Sequence, residues 1–125
     1  MRERTLMIMH YLTGLGILVS GTIHVYVVFL TVPANLTAWE STLSFDGFQF
    51  AILPVYRNLA LALSLEILLI CTTYHGLNGL RIILYELFQG RSARTYVKYA
   101  LFAIGALLLI YGTRTIIIAH SIGGP

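Results

Sequence analysis

Six ionisable side chains stand in apolar surroundings along this chain of 125 residues: His10, His24, Glu66, His75, Arg81 and Arg114. A neutral imidazole can ligate a metal, a carboxylate can pass protons, and a guanidinium can neutralise a bound anion. Each such group is expensive in a hydrocarbon setting, so each is by default a functional candidate whose partner has to be named. His10 lies nearest to an edge of its apolar run, and the other five lie well inside theirs.

The elements that position these groups follow from composition. Hydrophobic residues make up 58% of the chain and charged residues only 10%, too little polar surface for a soluble domain of this size. Three apolar stretches, Leu6–Thr31, Leu59–Phe88 and Val97–Ser121, each reach the ~20 residues a helix needs to cross ~30 Å of hydrocarbon. The expected fold is an all-α integral membrane protein, a single anchor domain over 1–125 with three transmembrane helices. The first stretch exceeds the h-region of a signal peptide and has no small-x-small cleavage site before Pro33, so it counts as a span. Arg2 and Arg4 flank it, and Arg91, Arg94 and Lys98 fill the link between the second and third spans, which places both segments in the cytoplasm. The connection 32–56 then lies outside, where Pro33, Trp39, Phe45, Phe48, Phe50 and Pro54 suit a short amphipathic piece on the membrane interface. Topology accounts for most of the net charge of +3, so no nucleic-acid partner is implied. Cys71 is alone, which excludes a disulfide within the chain, and the triplet Asn35-Leu36-Thr37 matches a glycosylation acceptor too short to weigh.

Depth separates the histidines. At ~1.5 Å per residue, His24 lies ~27 Å along a helix that starts inside near Leu6, in the outer half of the membrane. His75, ~25 Å along the returning helix, falls in the inner half, so the two cannot hold one metal. A haem b iron takes two axial imidazoles on opposite faces of the porphyrin, readily supplied by facing helices of a bundle. If His24 and His75 each bind a haem, they bind different ones, and each second ligand comes from another chain. Three helices also shield six ionisable groups poorly, which points to a larger bundle with a partner, a cofactor, or both. Small residues beside each histidine, Ser20-Gly21-Thr22 and Gly76 with Gly79, let a macrocycle approach the backbone. His75, Gly79, Ile82 and Glu86 share one helix face, with Gly79 opening the surface one turn below the ligand. The bland alternatives are helix packing for Gly14, Gly16, Gly21, Gly76 and Gly79, and a hydrogen-bonded packing role for either histidine.

The segment His75-Gly76-Leu77-Asn78-Gly79-Leu80-Arg81, with Glu86 eleven positions after the histidine, resembles the second-helix signature H-x-x-x-G-x-R of succinate dehydrogenase and fumarate reductase cytochrome b anchors. Chain length, three spans and a basic second link are similar over essentially the whole chain. The resemblance implies a membrane anchor of a succinate:quinone oxidoreductase in a prokaryotic cell membrane. Its partners would be a flavoprotein subunit, an iron–sulfur subunit, a second membrane-anchor subunit and the lipid bilayer. It implies haem b, one or two, shared with the second anchor, and quinone as substrate, with succinate oxidised on the flavoprotein. By resemblance His75 is the proximal haem ligand, His24 the distal one, Arg81 a propionate or quinone partner, and Arg114 a distal propionate partner. Glu66 would relay protons or pair with Arg114, a buried structural ion pair being the plain alternative.

Departures from the pattern are as informative. Glu86 stands where an Asp is usual and Ile82 where a His is frequent. In the first helix, Met7 and Tyr11 occupy the positions of the usual quinone-contacting Ser and Arg, so a quinone site would use His10, Tyr11 or Arg81, or lie largely on the partner. The competing readings are an anchor of another membrane dehydrogenase, which commonly carries more spans and histidines, and a small transport subunit with a proton or ion route through Glu66, Arg81 and Arg114.

Overall fold

The structure is a computed structural model and describes residues 2–30 and 59–122. Three helices make up these residues: α1, Glu3–Leu30; α2, Leu59–Leu87; and α3, Arg91–Ile122. Hydrocarbon offers no water to peptide groups, so segments of this composition satisfy their N–H and C=O groups within helices. At 28, 29 and 32 residues they extend ~42–48 Å, enough to cross a bilayer with their ends in the interface. The chain is thus a multi-pass membrane protein with the three spans its hydropathy predicts. The interfacial piece expected at 32–56 lies outside the described residues.

The helices run up, down and up, with α2 packed against both of the others. Small residues set these contacts. A Cβ placed on Gly16 would come within 2.6 Å of Cys71 Sγ, and one on Gly14 within 3.1 Å of the His75 ring, so α1 approaches α2 through its glycines. Gly105 and Gly112 do the same for α3, where an added Cβ would meet Leu77 Cδ1 at 2.9 Å and Leu69 Cδ2 at 2.5 Å. The interior is inverted relative to a soluble protein. Among the described residues the buried hydrophobic side chains are Ala62 and Leu101, whereas Thr13, Ser20, Thr73 and Asn78 are buried polar ones. Large apolar side chains point outwards, Leu18 being 66% and Phe102 76% exposed. Several hydroxyls inside the spans return their protons to their own helix: Thr13 Oγ1 to Met9 O at 2.8 Å, Ser20 Oγ to Gly16 O at 2.6 Å and Thr115 Oγ1 to Tyr111 O at 2.8 Å.

The third helix begins at Arg91 rather than at Val97, where its apolar run starts. Gly90 takes φ of 124°, a left-handed conformation that reverses the chain within Phe88-Gln89-Gly90. Arg94 N–H then donates to Gly90 O at 3.1 Å and starts the helix while its residues are still polar.

Candidate functional site

Polar side chains from α1 and α2 converge at the end of the bundle that carries the N-terminus. On α2 they recur at helical spacing, His75, Asn78, Arg81 and Tyr85, so they form one stripe. On α1 the facing residues are Glu3, Leu6, His10 and Gly14. The imidazoles of His10 and His75 lie flat on one another, with centroids 3.8 Å apart and planes 14° apart. His75 Nδ1 lies 2.9 Å from the backbone oxygen of His10. A carbonyl can only accept, so Nδ1 carries the proton and His75 Nε2 keeps its lone pair. Tyr74 fixes the same stretch by donating its hydroxyl to Leu6 O at 3.1 Å.

The second half of the network orients His10. Arg81 Nε donates to Asn78 Oδ1 at 3.0 Å, and since a guanidinium only donates, the amide orientation is fixed. Asn78 Nδ2 then faces His10 Nδ1 at 3.3 Å and donates to it. The terminal nitrogens of Arg81 form a fork on Glu3, 3.1 Å to Oε1 and 3.2 Å to Oε2. Asn78 is 6% exposed, the Arg81 side chain 13% and the Glu3 side chain 73%, so the chain of bonds runs from the bundle interior to its surface. Tyr85 sits beneath Arg81, whose Cζ is 5.2 Å from the ring centroid, and Arg94 of α3 approaches the same ring at 5.4 Å.

The structure therefore brings His10, His75 and Arg81 together and keeps His24 apart. Gly14 packs on His75 and Gly21 on Leu68, a register that sets His24 level with Leu65 and ~15 Å along the axis from His75. Arg114 falls near the level of His24 too, because its neighbour Thr113 donates to Glu66 Oε1 at 2.7 Å. This hydroxyl, rather than Arg114, is the partner that Glu66 takes among the described residues. Arg114 is exposed and lines an open groove of about 510 Å³ with Leu109, Ile110, Thr113, Ile117 and Ile118. Gly79 lies under the His10 ring, 3.7 Å from an added Cβ to Cε1, whereas Gly76 has nothing within 4 Å and is the glycine that leaves the surface open. Tyr11 is 70% exposed and touches His10 only ring edge to ring face at 6.2 Å.

Among the described residues no three of His, Cys, Asp and Glu are grouped to hold a metal ion. His10 and His75 lie face to face, so neither can take the iron from the side opposite the other. An iron bound by His75 would need its second imidazole from elsewhere, which fits a porphyrin shared between chains and not a closed metal cage. Asn78 and Glu3 escaped the sequence reading. Asn78 had a signal, an amide at the midpoint of the His75-to-Arg81 spacing in an apolar span, whereas Glu3 precedes the first apolar run and had none.

No curated protein and no solved structure matches the chain. The model of one family, the succinate dehydrogenase/fumarate reductase transmembrane subunit, matches residues 3–114, a stretch that includes the histidine and arginine network, α1, α2 and α3 as far as Arg114, and the chain belongs to that family.

Proposed function

We propose that this chain is the haem b-binding anchor of a succinate:quinone oxidoreductase, holding a flavoprotein and an iron–sulfur subunit at the membrane together with a second anchor chain. The family supplies the oxidoreductase context. The observation that carries the haem reading is the bond from His75 Nδ1 to His10 O, which leaves Nε2 aprotic in a half-buried, membrane-embedded imidazole. This is the arrangement a haem-ligating histidine needs, its other nitrogen tied to a carbonyl that fixes tautomer and ring orientation. When bound, haem b offers a one-electron centre within the bundle.

In this reading His75 holds the inner iron, and Gly76 leaves the helix surface open beside it. Arg81 presents a fork that already holds one carboxylate, Glu3, and a haem propionate or a quinone oxygen takes the same nitrogens by exchange. His24 and Arg114, level with one another on α1 and α3, suit an outer haem as ligand and propionate partner. Quinone would approach the inner end past Tyr11, whose exposed ring faces away from this chain, with His10 and Arg81 behind it. Arg2, Arg4, Arg91, Arg94 and Lys98 gather at that same end, which supports a cytoplasmic N-terminus in a prokaryotic cell membrane.

A pyridine haemochrome assay on the purified complex tests this directly. Haem b is expected, and His75→Ala should remove the inner share of it while the subunits still co-purify. Undiminished haem in His75→Ala would refute the assignment.

A further inference from the structure

His10 has no assigned role in the proposed reaction beyond a place near quinone, yet it touches His75 in two ways. Its carbonyl accepts the Nδ1 proton, and its ring covers one face of the His75 imidazole at 3.8 Å. The ring is itself held. Arg81 donates to Asn78 Oδ1, so Asn78 Nδ2 donates to His10 Nδ1, and a neutral His10 must then carry its proton on Nε2. Two stacked imidazoles thus hold opposite tautomers: His75 has a lone pair on Nε2, and His10 has a proton there. Only His75 is prepared to bind iron.

We propose that His10 is a positioning residue for the His75 ligand, a flat backing that fixes the rotation of the His75 ring about its bond to iron. The proposal rests on the haem reading above. Gly14, one turn on from His10, lies against the Cε1–Nδ1 edge of the same ring, where an added Cβ would come within 3.1 Å of Cε1 and 3.4 Å of Nδ1 and crowd it. The backing ring is anchored through Asn78 and Arg81 to Glu3 at the surface, so the face of His75 that it covers is held in place. Ring rotation matters because the plane of an axial imidazole sets the splitting of the iron d orbitals. Low-spin ferric haem with two axial imidazoles reports the angle between their planes in its largest EPR g value, so turning one ring moves that value, and outer-shell contacts of this kind also move the reduction potential.

The test uses the purified complex and three variants, His10→Ala, His10→Phe and His75→Ala. The signal of interest is the part of the EPR spectrum and redox titration that His75→Ala removes. His10→Ala should keep the haem-to-protein ratio of the wild type while shifting both the largest g value and the midpoint potential of that signal. His10→Phe, flat but without nitrogen, should bring the g value back towards the wild type. Loss of haem in His10→Ala with retention in His10→Phe also supports a backing role. An unchanged signal in His10→Ala overturns the proposal and leaves the haem reading standing. Loss of haem in both His10 variants overturns it as well, because His10 would then bear the iron or the fold. A wild-type complex without haem b, or full haem in His75→Ala, defeats the underlying function and the proposal with it.

Discussion

Arg81 shows how one side chain in a span can be almost fully occupied by short-range chemistry. All three guanidinium nitrogens have acceptors, Nε on Asn78 and the two terminal nitrogens on Glu3. Lysine keeps the charge but cannot supply three donors in one plane, so Arg81→Lys should release Asn78 and leave a buried amide short of a partner. The expected cost is about 1–3 kcal/mol, read as a lower melting temperature of the purified complex. Glu3→Gln should cost less, under about 1 kcal/mol, because the carboxylate is 73% exposed and a surface ion pair contributes little. Equal destabilisation by the two substitutions would show that the Asn78 bond carries nothing. His75 and Arg81 were legible in the sequence because an ionisable group in a hydrocarbon span demands a reason. The stacking of His10 on His75 was not, since hydropathy places His10 near an edge and says nothing of which rings meet across 65 positions of chain.

Glycine positions decide how closely the helices approach, and they do not all carry the same weight. An added Cβ on Gly112 would sit 2.5 Å from Leu69 Cδ2, against 3.8 Å from Leu68 Cδ1 at Gly21. Gly112→Val should therefore push α3 from α2 and cost about 1–3 kcal/mol, while Gly21→Ala should stay within about 0.5 kcal/mol of the wild type. Thermal melting of the two purified variants distinguishes them, and a neutral Gly112→Val would contradict the packing of α3 on α2. Hydropathy located α2 almost to the residue, predicting Leu59–Phe88 against Leu59–Leu87. It missed the start of α3, since apolarity marks where hydrocarbon begins and not where hydrogen bonding begins. The polar turns from Arg91 are helical because Gly90 reverses the chain at once, a conformational event that leaves no trace in hydropathy.

On the scale of the whole molecule, most of the charge among the described residues lies at one end of the helix bundle, Glu66 and Arg114 lying towards the other, and much of the remaining surface is apolar. Large side chains such as Leu18 and Phe102 face outwards, and Ala62 and Leu101 are the hydrophobic side chains buried among the described residues, so lipid or partner helices must cover the rest. The exposed cations Arg2 and Arg4 begin α1, and Arg91, Arg94 and Lys98 begin α3, so an up-down-up bundle puts all five at one end. By the positive-inside rule such a concentration is expected on the cytoplasmic side, together with the turn Phe88-Gln89-Gly90 at the same end. Cys71 is the only cysteine of the chain, so Cys71→Ala gives a background in which a new thiol can be read alone. In that background Gln89→Cys should react with a membrane-impermeant maleimide in inside-out vesicles and stay unlabelled in intact cells. The reverse pattern would turn the bundle over and place the His10–His75 pair on the outer side, away from any partner that delivers electrons from the cytoplasm.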